Sequence, residues 1–281
     1  MSDKILVIGS VAFDIIFSVS QDFRDAIPLS DGKITMFNPC YTAEQKKEAP
    51  GGTGGNMAYW IGEEGHSCSL FSAFGKDFTA NGYADRLKKR NIDIRGPEGE
   101  FTAHAYMISD QLKQQMTIWQ PNDWTAIESV ALTDFYTPEE LQNFEYVIFS
   151  VLPPQTMLKH LQEFRKYNSN ALVFFDPGQV TQFFDAQTFT ACFELCDVLI
   201  GNEVEFTHFE RLSNLLPGEL VTTKQLQIPA QSELKDTVFL QTLGEKGCCL
   251  KYDGLEEEFE AITVTDMIEA TGAGDAFRAG L

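Results

Sequence analysis

Six short runs of nearly unbroken apolar residues punctuate this 281-residue chain: "KILVIG" (4–9), "SLFSAFG" (69–75), "YVIFSV" (146–151), "ALVFFD" (171–176), "DVLIGN" (197–202) and "TVFLQTLG" (237–244). A strand with one wet face alternates apolar and polar residues; a strand covered on both faces does not, so such runs belong in a parallel sheet packed between helices. Helix-like stretches separate them. Residues 55–64 follow a glycine-rich turn, 79–90 are amphipathic with a basic end, and in 154–167 Met157, Leu158, Leu161 and Phe164 recur at helical spacing. "TPEE" at 137–140 is a capping box with Pro138 at the first helical position. The alternation predicts an α/β fold: a doubly wound, mostly parallel sheet with helices on both faces.

Two stretches break that rhythm. Residues 11–50 ("FDIIFSVS", "KITMFN") and 100–120 ("EFTAHAYMISDQLKQQMTIWQ") alternate apolar and polar positions without helical periodicity. They predict a small antiparallel sheet with one dry face, built from two insertions. The expected division is a core of 1–10, 50–98 and 121–281, and a β lid of 11–49 and 99–120. Residues 213–235 read as a helix-and-loop insertion, and the chain has no internal repeats or low-complexity tracts.

With 43% hydrophobic and 22% charged residues the chain falls among soluble globular proteins. Its 21 Lys+Arg against 41 Asp+Glu give a net charge of −20. No basic cluster exceeds "LKKR" (87–90), which argues against a nucleic-acid partner. A small phosphate ligand remains compatible, because local donors bind it. The N-terminal apolar stretch is interrupted by Asp14, carries no cleavage pattern and is too short to span a bilayer, so it reads as a strand. Six cysteines (40, 68, 192, 196, 248 and 249) form no C-x-x-C pair, and four histidines are scattered, so zinc is not expected. Buried free thiols in a reducing cytoplasm account for the cysteines.

Four loops could carry chemistry. "PGGTGGN" (50–56) precedes a helix, and its glycines let the backbone turn sharply or approach a ligand; Asn56 follows directly. It matches neither a dinucleotide fingerprint nor a Walker loop, which speaks against a nicotinamide enzyme. In "TGAGDAF" (271–277), Gly272, Ala273 and Gly274 open a helix, and their amides with the helix dipole could form an anion hole. Asp275 lies in that first turn, where the dipole favours its ionised form. It is either a helix-start residue or a base that takes a proton while the amides steady a transferring phosphoryl group. In "GNEVEF" (201–206), Asn202 and Glu205 could hold magnesium waters and phosphate oxygens, or form a capping box. "TLGEKG" (242–247) sets Thr242 and Gly244 after a strand, where open α/β sheets bind ligands. Asp14, near the first strand, either reaches a ligand hydroxyl or caps a turn.

The order of these motifs, from Asp14 through "GGTGGN", "FGKD" (74–77), "NEVE" and "TLGEKG" to "TGAGDAF", resembles the ribokinase-like (PfkB) family of small-molecule kinases over essentially the whole chain. The resemblance implies ATP-dependent phosphorylation of a hydroxymethyl group on a sugar or nucleoside, by a doubly wound α/β domain with a β lid. By position, Asp275 resembles the family's base and the 272–275 amides its anion hole. Gly51 and Gly52 match a di-glycine hinge beneath the lid, and Asp14 and Asn56 match substrate-hydroxyl contacts. Asn202 and Glu205 match the magnesium and phosphate motif, Glu205 acting through water, while Thr242 and Gly244 lie near the nucleotide. "GGTGGNMAY", "GDAFRAG" and "FDPGQ" (175–179) look most like nucleoside-type members, adenosine kinases first, with Phe13, Phe101 and Trp119 as aromatic residues able to stack on a purine. ATP and Mg2+ are the implied cofactors, with K+ as an optional activator. A lid sheet has edges to cover, which a homodimer would do. The family also implies further helices beyond the loop, completing an adenine pocket, where the sequence closes at Leu281. The alternative is a non-catalytic nucleoside- or sugar-binding member.

Overall fold

The computed structural model describes residues 4–26, 29–30, 33–34, 39–112, 114–121, 124–214, 237–252, 254–263 and 272–281. Among these residues the principal sheet has nine strands: β1 (Ile5–Ile8), β4 (Cys68–Phe71), β5 (Ile92–Arg95), β8 (Tyr146–Phe149), β9 (Leu172–Phe175), β10 (Val198–Asn202), β11 (Val238–Thr242), β12 (Cys248–Tyr252) and β13 (Leu255–Phe259). Their spatial order is β13-β12-β11-β10-β9-β8-β1-β4-β5. All are parallel from β5 to β11, and β12 and β13 add an antiparallel hairpin at one edge.

Successive residues of β1 explain why this sheet needs helices on both sides. Leu6 and Ile8 join the core that contains Phe149, Phe175 and Met157, Leu161 and Phe164 of α6 (Pro154–Tyr167). Val7 joins the opposite core, with Met57 and Ile61 of α1 (Thr53–Glu63) and Leu87. Leu6, Val7 and Ile8 are all fully buried, so the run cannot alternate in polarity.

The predicted helix at 79–90 is in fact two. One short helix, Lys76–Ala80, ends before Gly82, whose φ of 76° is left-handed, and a second runs over Tyr83–Lys88. Amphipathic periodicity runs across the junction, but a left-handed residue cannot continue a right-handed helix. The box at 137–140 forms as read, with the Thr137 hydroxyl accepting from the Glu140 amide (3.2 Å) and the Glu140 carboxylate accepting from the Thr137 amide (2.8 Å). The insertion read at 213–235 lies almost wholly outside the described residues.

A second, four-stranded sheet has the order β7-β6-β2-β3, formed by β2 (Ala12–Val19), β3 (Ala43–Gly51), β6 (Ala103–Ser109) and β7 (Gln115–Gln120). It is not purely antiparallel as expected: β2 and β6 run parallel, Phe13 beside His104 and Asp14 beside Ala105. Alternation defines which face of a strand is dry but is silent on its direction. Asp14 itself lies within β2, three positions into the smaller sheet rather than at the end of β1.

The chain order turns between β1 and β8, since β4 and β5 extend one way and β8 to β11 the other. Such a switch point opens a crevice at the carboxyl ends of parallel strands. Glycine occupies this place for steric reasons. A Cβ on Gly9 would stand 2.9 Å from Ser150 Cβ and 3.1 Å from Gly54 Cα, so the start of α1 seats directly on the end of β1.

Candidate active site

Two loops converge on this crevice. The first enters α1 through Gly52, whose φ is 83° and whose added Cβ would lie 2.6 Å from the Ala12 amide nitrogen. Gly55 N–H then donates to Ser10 O (3.1 Å), and Ser150 Oγ donates to Thr53 Oγ1 (2.7 Å), fixing the helix start on the strand ends. The second loop enters α9 (Ala273–Ala279) through Gly272, again left-handed at φ 82°. The amides of the first turn of any helix lack intrahelical acceptors, and no side chain caps this one.

A hydrogen bond joins the two helices. Asn56 Nδ2 donates to Asp275 Oδ2 at 2.8 Å, and the same amide nitrogen would lie 3.9 Å from a Cβ on Gly272. Burial dominates the Asp275 carboxyl and raises its pKa from 3.8 to about 6; the Asn56 hydrogen bond and Arg278 oppose the rise, and Asp176 adds to it. The helix dipole was expected to favour ionisation, and desolvation outweighs it. The basicity of Asp275 is thereby raised above that of a free carboxylate.

Asp14 faces the same region. A Cβ on Gly51 would come within 2.3 Å of Asp14 Oδ2, so this glycine leaves room for the carboxylate. Tyr83 lies beneath, fully buried, its hydroxyl donating to Gly51 O at 2.8 Å. Burial pushes the Tyr83 phenol well above its usual range, and the charges of Asp14 and Asp275 push the same way. A Cβ on Gly55 would meet Tyr83 Oη at 2.0 Å. Asp14, Gly51, Asn56 and Asp275 are thus brought together around Tyr83, which sequence reasoning missed.

On the far side of Asp275, α8 (Glu203–Asn214) begins at the end of β10. Asn202 Oδ1 accepts from the Glu205 amide (2.9 Å), and Glu205 Oε2 accepts from the Asn202 amide (2.8 Å). The capping-box reading of this pair is therefore correct. Burial raises the Glu205 pKa, with Asp176 and Asp275 adding and Arg278 opposing. Thr242 sits directly beside Asn202 in the parallel register of β10 and β11. Gly244 has φ 61° and open space around its Cβ position, so its backbone conformation alone calls for glycine.

Two charged residues that sequence reasoning missed tie these parts together. Asp176 follows β9 and is 1% exposed; Arg278 lies one turn after Asp275 and is 9% exposed. Arg278 Nε stands 2.5 Å from Asp176 Oδ2, its Nη2 donates to Asp176 Oδ1 at 3.1 Å, and Nη2 lies 3.7 Å from Glu205 Oε2. The available signal was a carboxylate ending an apolar run in "ALVFFD" and an arginine three residues after Asp275.

Among the described residues no group of three or more His, Cys, Asp or Glu is placed to hold a metal ion directly. Of the aromatic residues considered for stacking, Phe13 is packed against Tyr83 and His104 and is 3% exposed, so it presents no free ring face. Trp119 pairs with Ala105, which pairs with Asp14, so the three form one cross-strand row.

This geometry can be set against known proteins. Residues 3–281 match the model of the pfkB family carbohydrate kinases. The chain belongs to the pfkB family. A nucleoside kinase of Methanocaldococcus jannaschii is 29% identical over 283 aligned residues, covering 99% of this chain and 82% of the relative. The crystal structure of that organism's nucleoside kinase, described as an archaeal member of the ribokinase family, superposes with a TM-score of 0.76 at 26% identity, covering 99% of this chain and 83% of the other. A Burkholderia thailandensis nucleoside kinase in complex with inosine gives a TM-score of 0.77 at 22% identity, covering 98% and 82%. The pfkB chain described here thus has the ribokinase-like fold. Among its described residues no helix is long and apolar enough to cross a membrane.

Proposed function

We propose that this protein is a kinase that transfers the γ-phosphoryl group of ATP to the hydroxymethyl group of a nucleoside, with a purine nucleoside, adenosine first, as the preferred acceptor. The observation that carries the reading is the placement of Asp275, a half-buried carboxylate with pKa near 6, in the first turn of a glycine-opened helix and held by Asn56. The relatives named nucleoside kinase and the neighbour holding inosine support the acceptor class.

In this reading Asp14 and Asn56 hold substrate hydroxyls near Asp275. The carboxylate accepts the proton of the attacking hydroxyl as the new O–P bond forms. A transition state of this kind is loose, so orientation counts for more than base strength. The amides of residues 272–275 spread the negative charge that accumulates on the migrating group. Asn202, Glu205, Thr242 and Gly244 line the nucleotide side. ATP would supply the phosphoryl group, and ADP would depart as the leaving group when its bond to the γ-phosphorus breaks.

The donor set on that side is hard oxygen, which suits Mg2+, but among the described residues no carboxylate cluster would strip the ion of water. Glu205 would hold it through water while the phosphates carry it. The smaller sheet would act as a lid that excludes water from the transfer. Its outer strands, Ala43–Gly51 and Gln115–Gln120, have no further strand neighbour among the described residues, and a homodimer through the lid would cover them. Six free thiols accord with a cytoplasmic setting.

The test is an ADP-release assay with adenosine, inosine, other nucleosides, ribose and fructose, run in potassium and in sodium salts. Turnover highest with a purine nucleoside is expected. Saturable nucleoside binding without ADP release from any acceptor would favour the non-catalytic alternative.

A further inference from the structure

Arg278 makes its charged contacts outside its own seven-residue helix. Its guanidinium engages both oxygens of Asp176 side-on, which fixes the plane of the group as well as its position. Asp176 follows β9, Glu205 lies in the first turn of α8, and Arg278 belongs to α9, so one buried cation joins three elements that are distant in sequence.

The third nitrogen of the fork points at the loop. A Cβ on Gly274 would lie 2.7 Å from Arg278 Nη1. Gly274 is not among the glycines with positive φ, whereas Gly272 is. Backbone conformation therefore explains Gly272, and room for the guanidinium explains Gly274. Charge gives a further reason for the arginine. Asp176, Glu205 and Asp275 converge here, burial raises all three, and Arg278 opposes the rise in each. A buried carboxylate stripped of its cation does not stay in place as an anion.

We propose that Arg278, held by Asp176 and admitted by Gly274, is a positioning residue that sets the first turn of α9 against the start of α8. It thereby fixes Asp275 and the 272–274 amides relative to Glu205. The inference deepens the kinase reading and rests on it. Arg278 touches no reacting atom; its effect is exerted through the residues it aligns.

The test compares Arg278→Lys, Asp176→Asn, Gly274→Ala and Arg278→Met with the parent for thermal midpoint, kcat, both KM values and ADP affinity by calorimetry. Lysine keeps the charge and loses the fork. Arg278→Lys and Asp176→Asn are expected to lower kcat by about tenfold or more and to raise KM for ATP, with KM for the nucleoside within about twofold. Gly274→Ala should lower kcat similarly in the parent and cause little further loss in the Arg278→Met background, where the clashing nitrogen is gone. Parent-like kcat and KM in Arg278→Lys, with or without a lowered midpoint, would show a purely structural pair and overturn the proposal. So would a Gly274→Ala effect of equal size in both backgrounds. If the parent releases no ADP with any acceptor, the kinase reading fails separately. ADP affinity then decides: a loss of about tenfold or more in Arg278→Lys supports the alignment, and unchanged affinity overturns it.

Discussion

Asn56 and Asp275, 219 positions apart, are joined by a hydrogen bond of 2.8 Å between the first turns of two helices. The bond engages one Asp275 oxygen and favours the charged form, against the burial that raises the carboxyl's pKa.

Asp275→Asn keeps the shape of the side chain and removes its basicity. Turnover is expected to fall by at least about a hundredfold, with nucleoside affinity nearly unchanged. Steady-state kinetics paired with nucleoside titration checks this, and equal turnover in mutant and parent would exclude Asp275 as the base.

The raised pKa carries a pH signature. A base must be ionised to act, so the single-turnover rate should rise with pH through about 6 and level off above it. Asn56→Leu removes the hydrogen bond that lowers the Asp275 pKa, so the limb should move to higher pH. The rate at pH 6 then falls more than the rate at pH 8. A limb that stays in place would mean that another group titrates.

The same shift predicts a trade between stability and activity. A carboxyl whose pKa is higher in the fold than in the open chain contributes stability in full below its unfolded value, near 3.8, and that contribution is lost as pH rises through about 6. At pH 8 the ionised Asp275 is a liability. Asp275→Asn should therefore melt above the parent at pH 8, and the gap should close towards pH 4. Thermal melts across that range test the sign, and a lower midpoint for the mutant at pH 8 would refute it.

Much of this was readable along the chain, and the exceptions have physical reasons. Strands such as Leu6–Ile8 announce themselves because burial on both faces removes every polar position. The Thr137–Glu140 box is equally legible, since all its partners lie within four residues. The Asp176–Arg278 pair spans 102 positions, and no local pattern can signal it. Tyr83 gave no warning either: an aromatic residue on a helix looks like core, and this one is core, but its hydroxyl reaches the Gly51 carbonyl beneath Asp14. The Asn202–Glu205 spacing was legible as a capping box for the same local reason, while the phosphate-side role proposed for the same two side chains needs partners from elsewhere in the chain.

Gly51 and Gly52 are neighbours with different reasons for being glycine, which separates their mutants. Alanine at Gly52 faces a left-handed φ of 83° and backbone atoms at 2.6 and 2.7 Å, none of which can yield. Gly52→Ala should cost at least about 2 kcal/mol of stability, measured by denaturant unfolding. The three atoms nearest a Cβ on Gly51 all belong to the Asp14 carboxylate, the closest at 2.3 Å, on a side chain that can swing away. Gly51→Ala should fold with near-parent stability and raise KM for the nucleoside several-fold while leaving KM for ATP alone, because the displaced carboxylate is the proposed ribose contact. If the two mutants lost stability equally, the clash at Gly51 would be with the backbone, and Asp14 would not occupy the place on the substrate side given to it here.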